Sequence, residues 1–257
     1  MIKHELLLRS AVPAWVLVAG AVAGGVLSPI AWVTGLVYGL ALVLLTSWGL
    51  RRSGRRGFGP ADWITFARAT LVGCAAELIA DGSRPALWLV GVIAVALLLD
   101  GVDGQVARRT GTASEFGARF DMEIDAFLIL LLCIAVSDAV GPWVLAIGLM
   151  RYAFVAASWA MPWLTAPLYP SMARKTVAAV QGVVLVVAVS GVLPVVVVFS
   201  LVAAALAALV WSFGRDVVWL ARQRVRQAPG RIIELGRATL RRSLGEGTAR
   251  PGHNQAA

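Results

Sequence analysis

Residues 85–108 read PALWLVGVIAVALLLDGVDGQVAR, an apolar run that ends in two aspartates and an arginine. The pattern predicts one helix over 85–108, and a helix needs about 20 apolar residues to cross a bilayer. An aspartate at the centre of such a span costs about 2.5–3.5 kcal/mol, so ionisable residues in these helices usually serve a purpose. The stretch therefore predicts a membrane helix with a function at its polar end.

The composition of the whole chain agrees with a membrane protein. Its 257 residues are 59% hydrophobic and 14% charged, and the mean hydropathy is +0.80. A soluble domain has about 25% charged residues, and a disordered chain has low hydrophobicity, so both classes are excluded. The predicted fold class is all-α, a polytopic membrane protein whose helices satisfy their own backbone hydrogen bonds.

Turn residues divide the apolar sequence into eight predicted spans, an N-terminal hairpin of two and a core of six. Their predicted bounds are 11–28, 30–50, 61–80, 85–108, 114–138, 141–160, 172–190 and 194–221. We divide the chain accordingly into three parts. These are the transmembrane hairpin with a basic linker (1–57), the six-helix core (58–222) and a basic cytoplasmic tail (223–257).

The net charge of +9 has two explanations. In a soluble protein it would indicate nucleic-acid binding, whereas in a membrane protein basic residues mark the loops that stay in the cytoplasm. If the N-terminus is cytoplasmic, the opposite side holds only Arg84. The cytoplasmic side holds Lys3, Arg9, Arg51, Arg52, Arg55, Arg56, Arg108, Arg109, Arg174, Lys175 and the arginines of the tail. We therefore expect a multi-pass protein of the plasma membrane, with no nucleic-acid partner.

The basic tail contains residues 231–244, RIIELGRATLRRSL, whose apolar side chains can share one face of a helix with arginines on the others. That pattern is typical of a helix lying on anionic lipid. A solvated, partly disordered tail explains the same residues, and the sequence leaves both interpretations open.

Four aspartates are expected to converge at the cytoplasmic surface. Asp100 and Asp103 are three residues apart, and Asp121 and Asp125 are four apart, so each pair shares one face of a helix. The short turn at 110–112 brings the two helix ends together. Clusters of carboxylates bind Mg²⁺ or Mn²⁺, with a phosphate as a further ligand. Two such ions about 4 Å apart clamp a phosphoryl group during transfer.

Nearby basic residues offer a simpler explanation for the aspartates. Arg108, Arg109 and Arg119 could pair with them, but pairing does not explain the spacing. Two glycines favour a ligand site, because Gly104 leaves room against its helix and Gly117 lets the next helix start close by. Beside a diphosphate, Arg108 would supply fixed hydrogen-bond donors.

The string D100-G-V-D103-G104-Q-V-A107-R108, followed after eight residues by G117-A-R-F-D121-M-E-I-D125, carries a resemblance. It resembles the signature of the CDP-alcohol phosphatidyltransferases at all eight fixed positions and spacings. The resemblance covers the core, about 60–221, and is nearest to the phosphatidylglycerophosphate and phosphatidylinositol phosphate synthases. Residues 60–68, PADWITFAR, are similar to the family's first-helix element, in which Asn or Asp is followed by Thr and Arg. The hairpin 11–50 departs from the family, since many members have only a short interfacial helix there.

The resemblance implies an integral-membrane transferase of phospholipid biosynthesis. It would move a phosphatidyl group from CDP-diacylglycerol to a small alcohol and release CMP. The family's metal ligands correspond to Asp100, Asp103 and Asp121, with Asp125 close to the second of two Mg²⁺ or Mn²⁺ ions and acting as general base. The resemblance also implies a set of residues that contact the nucleotide or diphosphate. They are Asp62, Thr65, Gly104, Ala107, Arg108, Ser114 and Gly117.

Two points within this assignment stay open. Ser114 is equally well explained as the N-cap of the helix that begins at Glu115. The expected partners are the donor, the acceptor and the lipid bilayer, and the sequence leaves a homodimer open.

Two other classes of protein fit parts of the pattern. A membrane prenyltransferase also binds a diphosphate through aspartates and Mg²⁺, but its two aspartate motifs normally lie in separate halves of the chain. A transporter with a cation site would explain aspartates in apolar helices. It would not need the Gly104, Ala107 and Arg108 pattern.

The acceptor alcohol is not identified, but its charge can be predicted. Arg151 lies inside the predicted helix 141–160, and Arg174 and Lys175 stand at the cytoplasmic start of the next helix. Together they could bind an acceptor that bears a phosphate, such as glycerol 3-phosphate or inositol phosphate. The alternatives are pairing of Arg151 with an aspartate, and snorkelling of Arg174 and Lys175 to lipid headgroups.

Overall fold

The structure, a computed structural model, describes residues 27–53, 59–83, 85–110, 114–167, 169 and 171–245. At 60, 103–105, 107–108, 110 and 225–245 only the helical backbone is described. Within these residues every regular element is a helix, as expected of an all-α membrane protein.

Seven α-helices follow one another along the described chain. They are α1 (Pro29–Arg52), α2 (Pro60–Asp81), α3 (Ala86–Thr110), α4 (Glu115–Val140), α5 (Leu145–Ala160), α6 (Met172–Val189) and α7 (Val195–Gly245). Short 3-10 helices, Pro142–Val144 and Pro162–Thr165, lie before α5 and between α5 and α6.

The predicted helices agree with these elements except at two ends. The fifth core helix begins later than predicted, because Gly141 has a φ of 100° and a 3-10 turn follows it. The last helix continues past 221 to Gly245, and its apolar part is Val195–Arg224. The stretch 231–244 therefore has a helical backbone. Of the first hairpin helix, predicted at 11–28, residues 11–26 lie outside the described residues, and Leu27 and Ser28 precede α1 without helical structure.

Five of the described helices are long and apolar enough to cross a membrane: Pro29–Arg52, Ala61–Asp81, Pro142–Ala160, Met172–Val189 and Val195–Arg224. The helices that carry the four aspartates, α3 and α4, are not among them. The apolar part of α3, Ala86–Val102, is shorter, and α4 contains several acidic residues. Eight spans therefore remain a prediction, whereas a multi-pass helical membrane protein is confirmed.

Helix α2 is the most buried of the five. In its apolar stretch 61% of the residues are buried, compared with 11–28% in the other four helices. It packs against α1, α3 and α4, and its small side chains Ala69, Val72 and Ala75 belong to the main apolar core. The N-terminal half of α2 also buries several polar side chains, among them Asp62, Thr65 and Arg68. A buried polar group costs free energy unless it is paired, so this half of α2 marks the site.

Candidate active site

Arg68 of α2 lies at the centre of the aspartate cluster. Its side chain is 1% exposed. Nη1 donates to Oδ1 of Asp100 on α3, and Nη2 donates to Oδ1 and, at 3.2 Å, to the backbone carbonyl of Asp121 on α4. Nη2 also lies 3.2 Å from Oδ1 of Asp125. One buried guanidinium therefore connects three helices through three carboxylates.

The three carboxylates remain accessible from the side opposite Arg68. The side chains of Asp100, Asp121 and Asp125 are 43%, 37% and 50% exposed. Each offers one oxygen, and these oxygens lie within 4.8 Å of one another. Three carboxylates around one guanidinium leave two negative charges in excess. An all-carboxylate donor set with excess negative charge fits Mg²⁺ or Mn²⁺, the metals expected here.

The remaining residues of the aspartate motif lie on α3. Its helical backbone continues to Thr110, so Asp103 is placed one turn after Asp100, as the spacing predicted. The side chains of Asp103, Gly104, Ala107 and Arg108 lie outside the described residues, and their roles stay predictions.

A second group of predicted residues meets where α2 and α4 begin. Oδ2 of Asp62 accepts a hydrogen bond from the Gly59 N–H at 2.7 Å, and the residue is 2% exposed. A Cβ added at Gly117 would lie 2.7 Å from Oδ1 of Asp62 and 3.1 Å from Oγ of Ser114. Glycine is thus required for this close approach. Asp62 and Gly117, which are 55 positions apart in the sequence, are brought into contact.

Two further predicted residues show local hydrogen bonds. Oγ of Ser114 accepts from the Gly117 N–H at 3.0 Å, so Ser114 is the N-cap of α4, one of its two predicted roles. Thr65 is 4% exposed and donates to the Ala61 carbonyl at 3.2 Å. Thr65 lies between Asp62 and Arg68 at spacings of three, so these side chains follow one face of α2.

The aspartates do have a basic partner, but it is not one of those considered from sequence. The Arg119 side chain pairs with Glu115 at 2.5 Å on the exposed surface of α4. In the sequence, Arg68 stands out only as the arginine of the first-helix element. The signal that could have identified it is an arginine inside the apolar stretch 61–80, where the cost argument applied to the aspartates holds equally.

The basic residues predicted to bind an acceptor have separate partners. Arg151 on α5 pairs with Glu123 on α4. Arg174 at the start of α6 pairs through Nη1 with Oδ2 of Asp216 on α7 at 3.0 Å. Glu123 therefore faces Arg151 on α5, and Lys175 is exposed.

A further arginine, Arg215 on α7, joins the Arg174 pair. Its Nη2 lies 3.3 Å from Oδ1 of Asp216 and donates to Oγ of Ser171 at 3.1 Å. Its guanidinium lies over the rings of Tyr169 and Trp211, at 5.7 and 5.1 Å from their centroids. A cavity of about 360 Å³ opens here, lined by Tyr169, Trp211, Gly214, Arg215, Val218, Trp219 and Arg222. Sequence reasoning missed Arg215, although the Arg-Asp pair at 215–216 near the end of a span was visible.

The family model described as CDP-alcohol phosphatidyltransferase matches residues 59–218. No curated protein and no solved structure matches the chain. Members of the family are phosphotransferases for substituted phosphate groups that act on CDP-alcohols and use divalent metal. Since the match spans more than half of the chain and includes Arg68 and all four aspartates, the protein belongs to the CDP-alcohol phosphatidyltransferase family.

Proposed function

We propose that this transferase moves a phosphatidyl group from CDP-diacylglycerol to a small phosphorylated alcohol and releases CMP. The observation that carries the proposal is the convergence of Asp100, Asp121 and Asp125 around Arg68, at the polar end of apolar helices. A donor with two acyl chains suits that position, because its chains can stay in the leaflet while its diphosphate reaches the carboxylates. The family match favours this reaction over a prenyltransferase or a transporter.

The metal ligands in this proposal are Asp100, Asp103, Asp121 and Asp125, holding two ions of Mg²⁺ or Mn²⁺. Bound ions would supply the positive charge that neutralises the diphosphate and stabilises the departing CMP. Arg68 holds Oδ1 of Asp100 and of Asp121 from the protein interior. It therefore fixes both carboxylates in place and leaves their exposed surfaces for the ions.

Asp125 is the proposed general base. It is the most exposed of the three described carboxylates, at 50%, so an acceptor hydroxyl can reach it. The carboxylate takes the hydroxyl proton while the acceptor oxygen bonds to the phosphorus that bears the diacylglycerol. The bond from that phosphorus to the bridging oxygen of the diphosphate breaks, and CMP leaves with the bridging oxygen.

The nucleotide end of the donor is assigned to the group where α2 and α4 begin, together with the end of α3. Gly104, Ala107 and Arg108 belong to this assignment through the family motif. Asp62 and Thr65 are almost fully buried. Asp62 lies against Gly117 at the start of α4, which supports a role in holding the two helix starts together beside the nucleotide.

The acceptor phosphate is assigned to Arg174 and Lys175, together with Arg215. Asp216 neutralises one of the two arginines that share it, so positive charge remains in excess around the cavity. Arg151 is less well suited, because Glu123 already pairs with it. The same basic residues favour an active site that faces the cytoplasm of the plasma membrane.

An acceptor panel tests the proposed function. Membranes from expressing cells receive radiolabelled CDP-diacylglycerol and one alcohol at a time. Where a variant of the aspartate cluster is assayed, Asp138→Asn, at the far end of α4, is its matched control. We expect CMP release only with a phosphorylated polyol and with Mg²⁺ or Mn²⁺. Undiminished release in excess EDTA would contradict the metal assignment. Equal use of glycerol and glycerol 3-phosphate, or of inositol and inositol phosphate, would contradict the phosphate-bearing acceptor.

A further inference from the structure

Helix α1 precedes the residues that match the family, 59–218, yet it is packed along the catalytic core. One stripe of its side chains is buried, with Leu42 in the main apolar core, and small residues in that stripe allow the close approach of another helix. The buried residues are Ala31, Gly35, Gly39, Leu42, Thr46 and Leu50. The opposite face carries large exposed apolar side chains, among them Trp32, Leu36, Leu40 and Trp48. The helix therefore has a lipid face and a protein face.

Three contacts hold α1 against α2 and α4, at its start, in its middle and at its end. At its start, the Ser28 N–H donates to Oδ1 of Asp81 at 2.8 Å, at the end of α2. In the middle, the Tyr38 hydroxyl donates to the carbonyl of Ala69 at 2.8 Å, and its ring stacks on Phe127 of α4 at 5.4 Å. Tyr38 therefore touches the residue that follows Arg68 and the helix that carries two of the aspartates.

The third contact is at the end nearest the site. A Cβ added at Gly49 would lie 2.5 Å from Cε2 of Phe116, so the ring occupies the space that a side chain would need. Phe116 stacks on Phe120 at 6.0 Å with the rings almost parallel. Phe116 also precedes Gly117, whose backbone lies against Asp62. The end of α1 thus packs closely against the first turn of α4.

We propose that α1 is a positioning element of the active site. Gly49 and Phe116 fix the first turns of α4, and α4 then presents Asp121 and Asp125 to Arg68 at the observed spacing. The inference rests on the proposed function, because the aspartates are taken as the metal ligands. It assigns a role to a helix that lies outside the matched family domain.

Gly49→Leu tests this contact, with Gly91→Leu as the matched control. Gly91 is also a helical glycine, but a Cβ there meets nothing within 4 Å. Misplacement of a catalytic group by about 1 Å can cost about 100-fold in rate. We expect Gly49→Leu to lower kcat by about 10- to 100-fold, with the donor KM less affected, while Gly91→Leu keeps the rate of the unchanged protein.

A double variant separates positioning from general destabilisation. If Gly49 acts on α4 through the Phe116 ring, Gly49→Leu lowers kcat no further in a Phe116→Ala background. An equal loss in both backgrounds, or an equal loss in Gly49→Leu and Gly91→Leu, would overturn the inference. Should Gly49→Leu fail to fold, Tyr38→Phe tests the middle contact, because it keeps the ring and removes the hydroxyl that donates to Ala69. It is expected to lower kcat severalfold, and an unchanged rate would overturn the role of α1.

A binding measurement keeps this inference distinct from the proposed function. Mn²⁺ affinity of the purified protein, followed by electron paramagnetic resonance, requires neither donor nor acceptor. We expect a severalfold weaker affinity in Gly49→Leu and no change in Gly91→Leu. That difference would stand even if CDP-diacylglycerol proved not to be the donor. Equal Mn²⁺ affinity in the two variants would contradict the role of α1.

Discussion

Two charged clusters of this protein are built as opposites. In the first, one buried cation, Arg68, lies among the carboxylates of Asp100, Asp121 and Asp125. In the second, one buried anion holds two arginines: the Asp216 side chain is 7% exposed and contacts Arg174 and Arg215. Each buried charge is stabilised by more than one partner of opposite sign, as its removal from water requires.

The difference between the clusters lies in the charge that each leaves over. The acidic cluster has more carboxylates than guanidinium groups, and its carboxylates are partly exposed. The basic cluster has more guanidinium groups than carboxylates, and a cavity of about 360 Å³ adjoins it. Excess charge on the accessible side is what a charged ligand meets, so the first cluster suits divalent cations and the second suits a phosphate. The clusters therefore match the two ionic components of the proposed reaction.

Removing the buried cation should have the largest effect on stability. Arg68→Gln leaves three carboxylates facing one another, and breaking a buried ion pair costs about 3–5 kcal/mol. We expect the lower end of that range, because the aspartates are partly exposed. Thermal unfolding in detergent measures the loss, with Arg119→Gln as the control on an exposed pair. A stability loss no larger than that of Arg119→Gln would show that Arg68 does not hold the cluster together.

Removing the buried anion should cost less. In Asp216→Asn both arginines lose a charged partner, but their side chains are 35% and 30% exposed and can turn to water. Losing hydrogen bonds to a charged group costs about 1.5–3 kcal/mol. Under the same conditions, the unfolding temperature of Asp216→Asn should lie between that of Arg68→Gln and that of the unchanged protein. A larger loss than that of Arg68→Gln would contradict the proposed difference between the clusters.

Neutralising the excess charge of the basic cluster should act on one substrate only. Arg174→Ala or Lys175→Ala should raise the acceptor KM about tenfold or more, since each charge-assisted contact contributes about 1.5–3 kcal/mol. The donor KM should change little. Arg151→Ala, which breaks only the pair with Glu123, is the control and should leave the acceptor KM unchanged. A rise of the same size in the donor KM would contradict the assignment of these residues to the acceptor.

The smallest expected effect concerns the serines that begin a helix beside each cluster. Ser114 caps α4, and Ser171 caps α6 by accepting from the Arg174 N–H at 3.4 Å. Replacing an N-cap serine by alanine costs about 1 kcal/mol. Ser114→Ala and Ser171→Ala should therefore each lower the unfolding temperature slightly, and by less than Asp216→Asn does. A loss as large as that of Asp216→Asn would show that the serine does more than cap its helix.

The sequence predicted the helices well because hydropathy and turn residues are local signals. The second hairpin helix and the core helices lie nearly at their predicted bounds, except at the start of α5 and the end of α7. Asp121 and Asp125 lie with Asp100 as their spacing indicated. Spacing along one helix determines which side chains share a face, and a short turn determines which helix ends meet. Such features can be read without knowing how the helices pack.

Contacts between distant helices could not be predicted in the same way. The sequence shows Arg68 as a charge in an apolar helix but does not show which carboxylates it meets on α3 and α4. It equally does not show that Glu123 would pair with Arg151, or that Arg174 and Arg215 would share Asp216. Those pairs depend on how α4, α5, α6 and α7 are rotated against one another, which local patterns do not specify.

The most direct test of the acidic cluster as the site of a metal-dependent transfer is CMP release from CDP-diacylglycerol by Asp125→Asn. The variant keeps the shape of the side chain but removes the base, so we expect release to be abolished in saturating Mg²⁺ while donor binding survives at least in part. Asp138→Asn on the same helix should release CMP at the rate of the unchanged protein. Release by Asp125→Asn at a rate near that of Asp138→Asn would contradict the account.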